Sequence, residues 1–257
     1  MHEGRTIFCV MQPEAELRAR LYSLVHRGMP GDIAFYRHEA QNKRSVIELG
    51  AGTGRILREV AGEVRNAVGI EHSAGMIAQA TDLPENAVIL HADACAFSVD
   101  QQFDLVIIPY NALFAFGGID RMRQALQCAR KHARTGATLL FDCYVLNDDD
   151  YALLLPVDQE QIATVIDQGR SIAVFEWEEP LTTPRSFTMA YRYEITMPNG
   201  SVDVMEDRVH HHWLPPMAME RLLRAAGWRL IGLEAAFTRV PLAPDDIHLV
   251  GRAVAME

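Results

Sequence analysis

The chain has 257 residues, enough for one large α/β domain with an embellishment or for two small domains. Apolar residues make up 49% and charged residues 23%, without a low-complexity tract, which excludes a disordered or fibrous chain. Lys and Arg number 24 against 34 Asp and Glu, a formal charge of −10, and the basic residues form no track of the kind that neutralises consecutive phosphates, so nucleic acid is not expected as a substrate.

In chain order, residues 14 to 40 mix helix formers with aromatics and are interrupted by Met29-Pro30-Gly31-Asp32. This reads as two helices and a tight turn, with Asp32 able to cap the second. From Ser45 the chain alternates short apolar runs (Val46–Leu49, Ala67–Ile70, Ala87–Leu90, Leu105–Ile108, Thr138–Phe141) with amphipathic stretches at Arg55–Val64, Met76–Ala80 and Arg121–Ala133. That is the rhythm of βα units around a parallel sheet. After Asp148-Asp149-Asp150 come Ile172–Trp177, Phe187–Thr196 and Val202–Trp213, the last two joined at Pro198-Asn199-Gly200, which predicts an antiparallel insertion. Met217–Ala226 then reads as a helix ending at Gly227, followed by strands at Trp228–Leu233 and His248–Val254. The expected organisation is a helical segment at 1–44 and a single domain at 45–257, carrying a β-rich insertion at 151–213.

The start Met-His-Glu-Gly-Arg does not lead a basic region into a long apolar run, and no stretch approaches spanning length. The expectation is a cytoplasmic chain with no membrane partner. Cys9, Cys95, Cys128 and Cys143 are widely spaced and read as free thiols.

The segment Val46-Ile47-Glu48-Leu49-Gly50-Ala51-Gly52-Thr53-Gly54-Arg55 carries the most chemistry. An apolar strand enters a three-glycine turn and then a helix, so the backbone can approach a ligand and present free N–H groups to it. A plain structural turn is the alternative. Strand two ends in Glu71, with Ser73 as a helix cap and Met76 on the first turn, and an acid there can accept both hydroxyls of a ribose. Strand three ends in His91-Ala92-Asp93-Ala94, where a carboxylate would stand at the neighbouring sheet edge.

Together, VIELGAGTG, the acid in GIEHSAGMI, the acid in HADA and the strand FDLVII resemble class I S-adenosylmethionine-dependent methyltransferases over residues 45 to 145. The resemblance implies an α/β Rossmann-like sheet of seven strands, six parallel and one antiparallel, flanked by helices. An N-terminal helical lid and an antiparallel β insertion before strand six would complete it. A dinucleotide oxidoreductase would more often show GxGxxG and a second nucleotide-binding half. The implied cofactor is S-adenosyl-L-methionine. Gly50, Ala51, Gly52 and Gly54 would shape the loop under its methionine moiety, Glu48 would orient the amino group, and Glu71 would hold the ribose. Met76 or His72 would flank the adenine, Asp93 and Ala94 would face its edge, and Tyr22 and Tyr36 would close over the methionine end or pack lid against core.

Strand four leads into Pro109-Tyr110-Asn111-Ala112-Leu113-Phe114, where the family meets its acceptor. The Asn/Asp-Pro-Pro-aromatic pattern of base-methylating enzymes and the Pro-Cys pair of cytosine-C5 enzymes are both absent, and the chain resembles the small-molecule branch. Pro109 would border the cofactor, and Tyr110 and Asn111 would stand on the acceptor side. His210, His211 and His212 lie on one strand, where alternation sends His211 to one face and its neighbours to the other. His211 or His210 is therefore a candidate base, with solvated histidines as the alternative and no metal assigned. The expected reaction is in-line methyl transfer to an N or O atom of a small molecule. Non-methylation chemistry with the same cofactor and a non-catalytic regulatory subunit are the alternatives, and the assembly state is open, a homodimer included.

Overall fold

The computed structural model describes residues 13–146 and 159–257, so the Asp148–Asp150 run and Cys9 lie outside the described residues. Helices α1 (Pro13–Val25) and α2 (Asp32–Ala40) come first. The N-cap of α2 is Gly31, not Asp32. Asp32 is instead buried at the first helical position, where its Oδ2 takes the Met29 N–H at 3.1 Å and the Arg55 guanidinium at 2.6 Å.

The βα units follow: β1 (Ser45–Leu49), α3 (Arg55–Ala61), β2 (Asn66–Glu71), α4 (Ala74–Ala78), β3 (Ala87–His91), β4 (Phe103–Ile108), α5 (Ala112–Ala115), α6 (Ile119–Lys131) and β5 (Ala133–Tyr144). After an antiparallel excursion the chain returns through α7 (Pro216–Ala225), β10 (Trp228–Ala235) and β11 (His248–Ala255). The sheet order is β10-β11-β5-β4-β1-β2-β3. Strand β11 runs antiparallel to both neighbours while β1 to β5 pair in parallel, so six strands point one way and one is reversed, as expected. Central β1 and β4 are mostly apolar, with Glu48 and Asp104 among the exceptions, because both faces are covered. One face packs on α6 and α7 through Met122, Leu126, Met219 and Leu222, the other on α2 and α3 through Tyr36, Leu57 and Val60.

The excursion between β5 and β10 is a four-stranded antiparallel sheet of β6 (Glu160–Asp167), β7 (Arg170–Pro180), β8 (Ser186–Thr196) and β9 (Val202–His212), paired in chain order. Strand β6 was not expected. Its signal is the alternation through Ile162, Thr164 and Ile166 ahead of Gln168-Gly169, two left-handed residues (φ 50 and 76) that make a tight hairpin. Helix α1 lies against this sheet, with Leu21 buried among Ile172, Val174, Tyr191 and Tyr193. Asp167 ties the two together by accepting from Arg20 and from Arg170, each at 2.6 Å. On its other side α1 meets α4 so closely that a Cβ at Gly75 would sit 2.5 Å from the Ala15 carbonyl. No helix among the described residues is long and apolar enough to cross a membrane.

Candidate active site

A cavity of about 610 Å³ opens at the carboxyl ends of β1, β2 and β4, the place where open α/β sheets bind ligands. Its floor is the turn after β1. Gly50 and Gly52 adopt φ of 73 and 55, and a Cβ on Gly52 would meet nothing within 4 Å, so that position faces open space which a ligand can fill. The turn is held from β2: Glu71 accepts the Gly52 N–H on one oxygen and the Ser73 N–H on the other, each at 2.8 Å. Burial opposes the charge of Glu71, but hydrogen bonds from the His72 ring, Ser73 N–H and Gly52 N–H outweigh it and keep the carboxyl below the usual carboxylate range. Each carboxylate oxygen can accept a second bond, so the group stays free to receive a pair of vicinal hydroxyls.

Glu48, under the same turn, is 3% exposed and its Oε2 has no partner. Burial pushes its pKa well up, against the pull of the Arg55 guanidinium. Ser73 caps α4 through the Met76 N–H at 3.3 Å, which brings Met76 into the cavity wall. His72 also borders the cavity with its side chain 85% exposed.

Tyr110 and Asn111, after β4, both sit in the left-handed region (φ 55 and 62), a conformation costing non-glycine residues on the order of 1–3 kcal/mol. The clamp that holds them is Asp142 of β5, 1% exposed. Its Oδ1 accepts the Tyr110 N–H at 2.9 Å and the Tyr36 hydroxyl at 2.6 Å, and its Oδ2 lies 3.1 Å from His248 Nε2. The side chain of Asn111 accepts the Tyr144 N–H at 2.8 Å. Pro109, Tyr110 and Asn111 border the cavity.

The wall opposite is formed by the end of α1 and one face of the four-stranded sheet. Tyr22 stacks on His26 with centroids 3.9 Å apart, and His26 meets the edge of Tyr191 at 4.8 Å. Burial pushes His26 down to about 4, so its ring is neutral at pH 7. Alternation along β9 turns Asp207, Val209 and His211 inward. His211 lies 3.1 Å from the Tyr144 hydroxyl through Nδ1, and burial, with the neighbouring His210, lowers it to about 4. On β7 and β8, Glu176 and Tyr191 line the same wall and hydrogen-bond each other. Burial raises both Glu176 and Glu178, the next residue on that face, and Glu178 Oε2 has no partner.

Several expected site residues stand elsewhere. Tyr36 is fully buried behind the cavity, because its hydroxyl is committed to Asp142 and its ring packs on Phe35 and Phe237. Asp93 is outside the cavity lining, with Arg121 Nη2 2.8 Å from both of its oxygens, and the adjacent Ala94 is packed into the core. Gly54 starts α3 beneath the turn, against Ile89 and Leu83. His210 points to the outer face, 2.7 Å from the Thr188 hydroxyl, so strand alternation separates it from the cavity that His211 borders. Among the cavity residues not foreseen are His26, Arg55, Tyr144, Glu176 and Tyr191.

Residues 46–137 match the family model described as a methyltransferase domain. The cradle under them fits the cofactor of that family: an unpartnered buried acid and an unpartnered guanidinium nitrogen beside an open glycine turn, with a carboxylate free for a ribose. Residues 46–137 are thus a methyltransferase domain. S-adenosylmethionine is its cofactor. Among curated proteins, the chain is 30% identical over 122 residues to a dTDP-3-amino-3,6-dideoxy-α-D-glucopyranose N,N-dimethyltransferase of Streptomyces fradiae. That match takes in 44% of this chain and spans about half (48%) of the relative. Among solved structures, the methyltransferase fold is similar to a sugar N-methyltransferase from a Streptoalloteichus species (TM-score 0.73, 20% identity, 92% of this chain and 93% of the other). It is also similar to an amino pentose methyltransferase from Micromonospora echinaspora solved with its cofactor bound (TM-score 0.68, 19% identity, 100% of both chains).

Proposed function

We propose that this chain transfers a methyl group to the nitrogen of a small polar amine, an amino sugar being the class. The observation that carries this reading is the acid face of β7, where Glu176 borders the cavity and Glu178 is the next residue on that face. Glu176 and Glu178 share one face of β7, are half-buried, and form no ion pair among the described residues. Buried carboxyls without a cation call for a positively charged or hydrogen-bond-donating ligand. The names of the amine-methylating relatives point the same way, and the residues 151–213 insertion is taken as the acceptor-side subdomain.

The cofactor, when bound, supplies an activated methyl group, and the protein has to align acceptor with donor and exclude water. Gly50 and Gly52 would let the backbone approach the methionine end, Glu71 would hold the ribose, and Tyr22 with Met76 would cover the nucleoside. An amine attacks only through its free lone pair, so its ammonium proton must leave first. Glu176 Oε is the better-matched receiver: burial raises its pKa, whereas His211 is lowered to about 4 and its Nδ1 is occupied by the Tyr144 hydroxyl. His211 and Tyr144 would then orient the acceptor.

The test is methylation of an amino sugar beside the analogue bearing hydroxyl in place of the amine, with radiolabelled cofactor and mass spectrometry of the product. Transfer to nitrogen, with kcat/KM lowered by roughly tenfold or more in Glu176→Gln, is expected. Equal transfer to the hydroxyl analogue, or an unaffected Glu176→Gln, would defeat the reading.

A further inference from the structure

His26 borders the cavity just beyond the last residue of α1, where its backbone N–H closes a final turn on the Tyr22 carbonyl at 2.9 Å. Tyrosine rings hold its imidazole in place. Tyr22 stacks on it with centroids 3.9 Å apart, Tyr191 packs edge-on at 4.8 Å, and the Tyr110 hydroxyl lies 3.5 Å from Nδ1. The other ring nitrogen, Nε2, is buried and has no partner among the described residues. A buried polar atom without a hydrogen bond is destabilising, so a ring that cannot turn away from that position is preorganised for a ligand atom.

The charge state of the ring decides which ligand atom suits it. Burial pushes His26 down to about 4, so at neutral pH the ring is uncharged, with one N–H and one lone pair. A base this weak takes no proton from an ammonium, and a neutral ring brings no charge to pair with an ion. A hydroxyl both donates and accepts, and therefore satisfies Nε2 in either tautomer. The neighbours put that hydroxyl on the acceptor. The Tyr191 ring against His26 carries the hydroxyl that meets Glu176, which leaves one tyrosine between imidazole and carboxyl, roughly the breadth of a sugar ring.

We propose that His26 binds a ring hydroxyl of the acceptor through Nε2 and so selects a hydroxylated amine over its deoxygenated counterpart. The inference rests on the amino-sugar reading of the chain and adds to it a specificity-determining residue distinct from the one that receives the ammonium proton. A site organised around a substrate hydroxyl discriminates because the analogue lacking it leaves the imidazole unpaired.

The test is a cycle of substrates against variants. It compares kcat/KM for 3-amino-3-deoxyglucose and its monodeoxy analogues in the wild type, in His26→Phe, which keeps the stacking on Tyr22, and in His26→Gln, which keeps a polar group. In the wild type one analogue should fall by about tenfold or more, the penalty for removing the hydroxyl that His26 holds. That penalty should shrink to within about twofold in His26→Phe and be partly retained in His26→Gln. A uniform loss across the sugars in both variants would make His26 a support of the wall only and overturn the assignment. So would a wild type that treats the sugars alike, or a penalty unchanged in both variants. Failure of the wild type to methylate any of these sugars would instead remove the amino-sugar reading on which the inference stands.

Discussion

The two ends of the cavity are built by different means. The cofactor end is made of backbone: a glycine turn, two N–H groups held by Glu71 and a capped short helix, all within the first half of the chain. The acceptor end is made of side chains on one face of a separate antiparallel sheet, with the end of α1 laid across it. A backbone cradle tolerates few sequences because only particular residues permit its φ angles, while a sheet face accepts any side chain of suitable size. The first is the conformationally constrained half of the site and the second its permissive half.

The largest expected effect strikes the backbone half. Glu71→Ala removes two bonds that hold the turn and the proposed acceptor of the ribose hydroxyls, and charge-assisted hydrogen bonds are worth about 1.5–3 kcal/mol each. S-adenosylhomocysteine affinity should fall by roughly a hundredfold in calorimetry. A loss under about threefold in a folded variant would mean that the cradle does not depend on β2.

A smaller effect should mark the acceptor half. His211→Ala, which empties the position opposite Tyr144, is expected to lower turnover about tenfold with cofactor affinity unchanged, while His210→Ala on the outer face stays within about twofold. Equal responses at the two histidines in steady-state kinetics would erase the distinction between the faces of β9.

The mildest test is of stability. His26 is held near 4, below its ordinary value of 6.5, so the unfolded chain binds a proton that the folded chain refuses. Stability should therefore be highest above about pH 6.5 and decline as the pH falls toward 4, by up to about 3 kcal/mol from this residue. His26→Phe preserves the stacking on Tyr22 and should flatten part of that decline in urea melts at pH 7 and pH 4.5. Parallel curves for the two proteins would show that His26 takes up its proton without cost.

The same contrast explains what the sequence made legible. Glycine at 50 and 52 and the acid at 71 carry conformational and chemical demands that leave a readable spacing, and the parallel strands announce themselves as short, mostly apolar runs. Asp142 leaves no such mark: it sits in the apolar run Leu139 to Cys143, and its partners Tyr36 and His248 are each 106 positions away. Tyr36, which the sequence leaves either over the cofactor or packed between lid and core, takes the second place, its hydroxyl spent on that buried acid. Glu176 and Glu178 sit in the charged run FEWEEP, which carries no site signature, although alternation from buried Ile172 and Val174 puts them on the inner face. For His210 and His211, alternation was a sufficient guide to separate the two faces.

Helix α1 is shared by both halves. It is locked to the insertion through Arg20 and Asp167, pressed against α4 near Gly75, and contributes Tyr22 and His26 to the cavity between. A wall common to two ligands makes their occupancies reciprocal: to whatever factor a nucleoside bound against Tyr22 settles this helix and so strengthens the grip on an acceptor, the acceptor strengthens the grip on the nucleoside by the same factor. Donor and acceptor sites thus share one wall, and whatever coupling that wall carries is a property of the pair.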